Sequence, residues 1–420
     1  MLKFLRTMSI KNKVKFLSFF PLLFIISLSL YINYGLFEKE SKMSQLKEVA
    51  SLNAKISLLV HELQIERGSS SGFLSSKGEK FKDVLLAQRE ATNKSFEEFK
   101  KTLELIAVSN YPDNGKLLID NAIKELANIQ SIRKSIDDFQ VDTKKVISYY
   151  TDLNSILLNF ISLSSTISSS ENTTKDFIAY SNFLMAKERV GIERAIGSNT
   201  FGAKSFAPGM YSKFLGLVND QNIFLGNFFM YAGENLNFYN EKMNNPVITE
   251  VEKMRELLLS YGDNKNIVLD VESTVWFSKM TEKINLLKEI DDYLIRNIIS
   301  KIDDEISREK KFIYFMITVS FGIIVLTLYF VSFFSLSIGR GIDKIYVGIE
   351  QFMRYLNREI NELEYIELNT RGELGKLASM VNANIDRING DLEKDLLCVG
   401  EAAITLDKFE KGYYSCRVRS

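Results

Sequence analysis

Phe312-Ile313-Tyr314-Phe315-Met316-Ile317-Thr318-Val319-Ser320-Phe321-Gly322-Ile323-Ile324-Val325-Leu326-Thr327-Leu328-Tyr329-Phe330-Val331-Ser332-Phe333-Phe334-Ser335-Leu336-Ser337-Ile338 contains no charged side chain. A helix of this length crosses the roughly 30 Å hydrocarbon layer of a membrane. Buried helices of water-soluble cores are usually shorter and keep polar positions along one side. A second run, Val14 to Phe37, is almost all apolar and carries a single charge, Lys15, at its start. Two such runs predict two transmembrane helices, at 14–37 and 312–338, with 1–13 and 339–420 on one side of a membrane and 38–311 on the other.

The charges set the expected orientation. Lys3, Arg6, Lys11, Lys13 and Lys15 precede or open the first run with no acidic residue among them, so the positive-inside rule places the N-terminus in the cytoplasm. The segment 38–311 is then extracytoplasmic, in the periplasm of a bacterial plasma membrane, and the chain returns to the cytoplasm after Ile338. A cleaved signal peptide is the rival for the first run, but the run is longer than an h-region and no small-residue site follows it.

Composition narrows the chemistry. The 420 residues include only 4 Pro and are 46% hydrophobic, which favours long uninterrupted helices and an all-α fold. With 53 basic and 53 acidic residues the chain has no global field to attract nucleic acid, and no nucleic-acid partner is expected. Cys398 and Cys416 both follow the second run, so the outer segment has no disulfide framework. The single histidine, His61, excludes most metal sites and catalytic triads. His61-Glu62 fails as a zincin start because the residue four after His61 is Ile65. No metal, cofactor or catalytic residue is expected.

Helical periodicity fills the outer segment and breaks at few points. Gly72 to Gly78, Tyr111-Pro112-Asp113-Asn114-Gly115, Phe206-Ala207-Pro208-Gly209, Asn244-Asn245-Pro246 and Gly262-Asp263-Asn264 read as turns. They delimit seven or eight helices. Leu52, Ile56, Leu59, Val60 and Leu63 extend an apolar face from the first span, and Thr274 to Ile302 leads into the second.

Two places break the apolar faces. Arg67 falls four residues after Leu63 and seven after Val60, on the side that should be buried. Lys187 and Arg194 share the face of Tyr180, Phe183 and Val190. A buried guanidinium needs a carboxylate or a bound anion. Pairing with Glu62, Glu66, Glu188 or Glu193 would satisfy these groups, and so would a small anion.

The strings Glu62-Leu63-Gln64-Ile65-Glu66-Arg67-Gly68-Ser69-Ser70-Ser71-Gly72, Gln88-Arg89 with Thr92, and Lys187-Glu188-Arg189-Val190-Gly191-Ile192-Glu193-Arg194-Ala195 together resemble the NIT domain, the nitrate- and nitrite-sensing module of bacterial receptors. The similarity covers most of Leu46 to Phe228. It implies two stacked helical bundles that bind a small inorganic anion, nitrate or nitrite, with Arg67 and Arg194 in contact with it. A guanidinium fork fits a planar oxyanion through two parallel hydrogen bonds. Lys187, the serines Ser69 and Ser70, and peptide N–H groups near Gly72 are further candidates, although solvated turn residues are the simpler reading of the serines.

After the second span, Ile342, Ile345, Ile349, Phe352 and Leu356 form a heptad seam, and Leu374, Leu377, Val381, Asn384 and Ile388 form another beyond a connector at 359–371. Two short seams and a connector resemble a cytoplasmic HAMP-like coiled coil over 339–391, with Gly372-Glu373-Leu374-Gly375 opening its second helix. A continuous coiled coil is the alternative. Gly339-Arg340-Gly341 reads as a juxtamembrane turn. Residues 392–420 read as the start of a signalling helix that stops at Ser420 without a stop signal.

The expected protein is a homodimeric, lipid-embedded chemoreceptor of methyl-accepting type, working with a chemotaxis kinase and coupling protein through a part beyond Ser420. A sensor kinase or nucleotide cyclase with its catalytic part beyond Ser420, or a structural coiled-coil membrane protein, are the alternatives.

Overall fold

The computed structural model describes residues 7–106, 113–168, 170–357, 359–360, 363–368, 370–413, 415 and 417. Lys3, Arg6, the Tyr111-Pro112 turn and Cys416 lie outside them. Among the described residues every regular element is a helix. The chain divides into two compact units, Leu36–Phe312 and Met1–Gly35 with Ile313–Ser420.

The unit 36–312 is built on two long helices, α1 (Ile10–Ser75) and, at the other end of the chain, Ser273–Leu356. Between them come α2 (Lys82–Leu105), α3 (Asp113–Ala127), α4 (Ile129–Asp137), α5 (Thr143–Ser162), the single turn α6 (Ser164–Ile167), α7 (Glu171–Ala203), α8 (Met210–Tyr231), α9 (Asn235–Met243) and α10 (Pro246–Asp263); Ser273–Leu356 is α11. This is more elements than the turn signals predict, because α3 and α4 meet at Asn128, and α6 stands apart from α5 and α7, with no Gly or Pro to mark either break. Two predicted turns are displaced. Gly72 lies inside α1, where a Cβ would come within 2.7 Å of the Phe81 ring, and the chain turns only after Ser75. Asp113, Asn114 and Gly115 open α3. Asn245 caps α10 by accepting from the Val247 N–H at 3.0 Å, with Pro246 in the first helical turn.

α7 is the central helix. From Tyr180 to Gly197 nearly every residue is buried, on all sides, because α5, α6 and α8 pack around it and α1 and α11 bond to it. Only an apolar helix fits such a place without further help. α7 carries Lys187, Glu188, Glu193 and Arg194 there, so each must meet a partner on a neighbouring helix.

The other unit contains the apolar stretches of α1 and α11, whose most hydrophobic windows have mean hydropathy 1.9 and 2.2 and bury nothing within the chain. The Ser335 hydroxyl donates to the Lys11 carbonyl at 3.2 Å. α11 continues unbroken through Gly339-Arg340-Gly341, so the expected turn is absent. α12 (Glu373–Glu410) follows. Its Asn382 clamps the segment before it, donating to the Ile366 carbonyl at 3.1 Å and accepting from the Ile366 N–H at 2.9 Å. Gly375 is required sterically, since a Cβ would lie 1.7 Å from the Thr370 oxygen. Within the single chain the buried positions of α12 are Gly375, Ala378 and Ile385, one residue along from the predicted seam, and Leu377 stays exposed.

Candidate anion-binding site

Glu66 and Arg67 are adjacent in α1 and therefore point about 100° apart. Glu66 accepts two hydrogen bonds from Arg133 of α4, at 2.7 and 2.8 Å, and one from the Tyr150 hydroxyl at 2.7 Å. Its charge is fully matched. Arg67 is fully buried and turns toward α7 and α5, where its Nη1 donates to Glu188 at 2.5 Å and to the Thr151 hydroxyl at 2.9 Å. Glu188 also accepts from Gln64 at 2.5 Å and from Asn154 at 3.3 Å.

Arg194, two turns beyond Lys187, is 1% exposed and, among the described residues, has no carboxylate within bonding distance. Its Nη1 donates to the Thr281 hydroxyl at 2.9 Å and its Nη2 to the Gln64 carbonyl at 3.3 Å, while the guanidinium lies 4.7 Å from the Phe277 ring centre. Burial, and then the neighbouring charge of Arg67, pull it down to about 10, with Glu188 opposing. Arg67 and Arg194 thus feel each other electrostatically and share one carboxylate. Among the described residues, three of their buried nitrogens, Nε and Nη2 of Arg67 and Nε of Arg194, have no hydrogen-bond partner.

The glycines of the two motifs explain the close approach. A Cβ on Gly191 would lie 2.8 Å from Arg67 Nη2, and one on Gly68 would lie 3.0 Å from Arg194 Nη2. Each arginine therefore rests against backbone that the opposite motif leaves bare. Gln88 serves elsewhere, tying α2 to α1 through the Glu62 carbonyl at 3.1 Å and its carboxylate at 2.6 Å.

Lys187 belongs to a separate centre. Seven residues in a helix span about 10 Å, so a shared face does not bring Lys187 to the arginines. It pairs with Asp291 of α11 at 2.8 Å, and Asp291 also accepts from Ser57 at 2.6 Å and Tyr180 at 3.0 Å. Burial works against this carboxylate, yet Lys187 and Lys288 hold it at about 2. His61 beside them is driven down to about 2 by burial and by Lys187, so it stays neutral.

The serines do not form a loop. Ser69 and Ser70 are buried within α1, Ser69 donating back to the Ile65 and Glu66 carbonyls at 3.0 and 3.2 Å, and Ser70 lying beside the Tyr150 phenol. The peptide N–H groups near Gly72 are likewise inside the helix. The residues that sequence reasoning passed over are Gln64, Thr151, Asn154, Phe277 and Thr281. Asn154 had a signal, a polar side chain among Tyr150, Leu153 and Leu157 on the buried face of α5. Among the described residues no group of His, Cys, Asp and Glu is placed to hold a metal ion.

The family model described as nitrate and nitrite sensing, NIT, matches residues 58–299, more than half of the chain and inclusive of Arg67, Glu188 and Arg194. A nitrate regulatory protein of Klebsiella oxytoca is 22% identical over 270 residues, 63% of this chain and 66% of that protein, so the chain spans just under two thirds of that relative's length. The solved structure of the NasR transcription antiterminator aligns with a TM-score of 0.59 at 18% identity, over 79% of this chain and 90% of that one, a likeness of fold. These findings overturn the expectation of a methyl-accepting chemoreceptor: the relatives are a nitrate regulatory protein and a transcription antiterminator.

Proposed function

This chain belongs to the nitrate- and nitrite-sensing NIT family, and from that premise we propose that it is a sensor binding one nitrate or nitrite ion at Arg67 and Arg194. The observation that carries the reading is the charge and hydrogen-bond deficit there, two buried guanidinium groups with one carboxylate and three unpartnered nitrogens. A small anion supplies the acceptors these donors lack. Arg194 already bonds α11 through Thr281, and the Trp276 indole donates to the Arg194 carbonyl at 2.9 Å. Ligand capture therefore acts directly on the helix that leaves the domain.

The sensor is anchored by two membrane spans in α1 and α11, which supports an extracytoplasmic position for the domain, arranged as two stacked bundles. A cytoplasmic HAMP-like linker of the two helices around residue 366 follows, and the chain works as a homodimer. The support is that neither apolar window is buried within the chain, together with the outward stripe of Ile349, Leu356 and Leu377.

The test uses the full-length chain in detergent. Nitrate or nitrite at millimolar concentration should raise the melting midpoint and alter the emission of Trp276, the sole tryptophan, whereas chloride should do neither. Arg67→Lys and Arg194→Lys should each weaken binding about tenfold or more, since an ammonium lacks the fork. No heat of binding and no melting shift with either oxyanion would sink the assignment.

A further inference from the structure

We infer that Glu188 sets the charge of this site, and thereby selects a singly charged anion over a doubly charged one such as sulfate. The inference rests on the anion-binding reading above and assigns a specificity role that the two arginines cannot have. Arg67 and Arg194 alone would present two positive charges in a fully buried place. Glu188, itself buried, removes one of them. What remains is a single positive charge for the incoming ion.

The surrounding charges leave that sum intact. Glu66 of α1 is matched by Arg133 of α4, and Lys187 of α7 by Asp291 of α11, with Lys288 and Asp292 beside them also paired to each other. Glu193 of α7 is matched by Arg255 of α10 at 2.6 Å, with Lys283 and Glu252 in the same field. From α5, the neutral Thr151 and Asn154 bond to the Arg67–Glu188 pair. In a medium that screens poorly, a buried net charge is costly, so an ion that leaves the site neutral is favoured over one that leaves it negative.

Glu188 is held by Arg67, Gln64 and Asn154 at once, which fixes it as part of the site and not a mobile competitor for the ligand. Sulfate should therefore bind more weakly than nitrate or nitrite by at least about tenfold.

Full-length chain in detergent is titrated with nitrate, nitrite and sulfate, in the unmodified form and as Glu188→Gln, which keeps a similar shape and an acceptor for Gln64. We expect the unmodified chain to prefer nitrate, and Glu188→Gln to shift the nitrate-to-sulfate affinity ratio toward sulfate by at least about tenfold. A ratio unchanged within threefold, with nitrate still bound by the unmodified chain, overturns the role of Glu188 and leaves the binding site standing. No nitrate binding by the unmodified chain removes both. If Glu188→Gln does not fold, the anion series on the unmodified chain decides: sulfate at least about tenfold weaker than nitrate and nitrite upholds the inference, and sulfate bound as tightly as nitrate overturns it.

Discussion

Lys283 shows how the interior of this domain writes itself into a pH profile. It lies buried on α11 near Arg255, and burial first, then Arg255, pull its ammonium from 10.5 down to about 8, with Glu193 and Glu252 opposing. Its folded pKa lies below its unfolded one, so between about pH 8 and 10.5 the unfolded chain binds more protons. Stability from this residue therefore rises with pH across that window. Relative to Lys283→Met, the unmodified chain should gain about 1–2 kcal/mol between pH 8 and 9.5, below the range where buried tyrosines titrate. Denaturant midpoints of the two proteins over that interval check it, and parallel curves would show that the ammonium is not held down. The same scale divides the readable residues from the hidden ones. Arg67 and Arg194 stood out because an arginine on an apolar face is anomalous in one dimension. Thr281 and Phe277 did not, because their partner lies 87 and 83 residues away in sequence and only packing brings it near.

At the scale of the helix, α1 and α7 act as a crossed pair, with each motif's glycine clearing the surface for the other's arginine. Gly191→Ala raises intrinsic helix propensity by about 1 kcal/mol and at the same time drives a methyl group to 2.8 Å from Arg67 Nη2. We expect nitrate affinity to fall about tenfold while the ligand-free melting midpoint stays within a few degrees of the unmodified chain's. Gly202→Ala is the control on the same helix, because its nearest neighbour would be 3.8 Å away. Calorimetric titration of both variants separates them, and equal affinities would show that the arginine sits there without help from the glycine. The periodicity of α7 revealed a helix but misstated its surroundings: a face count implies one buried side, whereas α7 is enclosed on all of them, and its charges disperse to different neighbours.

For the whole molecule, the proposed topology makes a direct prediction about Cys398, which is exposed on α12. In intact cells it should resist a membrane-impermeant maleimide and should react after lysis, because in that topology the five N-terminal basic residues put residues 1–13 and 339–420 on the cytoplasmic side. Labelling of Cys398 from outside would reverse the orientation. The sequence by itself determined the all-helical character, the two apolar runs and the arginines out of place, since these follow from composition and from a period of 3.6 residues that needs no partner to be seen. Where the helices break at Asn128 and around α6, that Ser69 and Ser70 are helical, that Lys187 serves Asp291, and that Arg67 and Arg194 share the single carboxylate of Glu188 were decided only by tertiary structure. The physical reason is that a buried charge is satisfied by whichever neighbour packing delivers, and the candidates Glu62, Glu66, Glu188 and Glu193 differ in nothing that spacing along one helix can express.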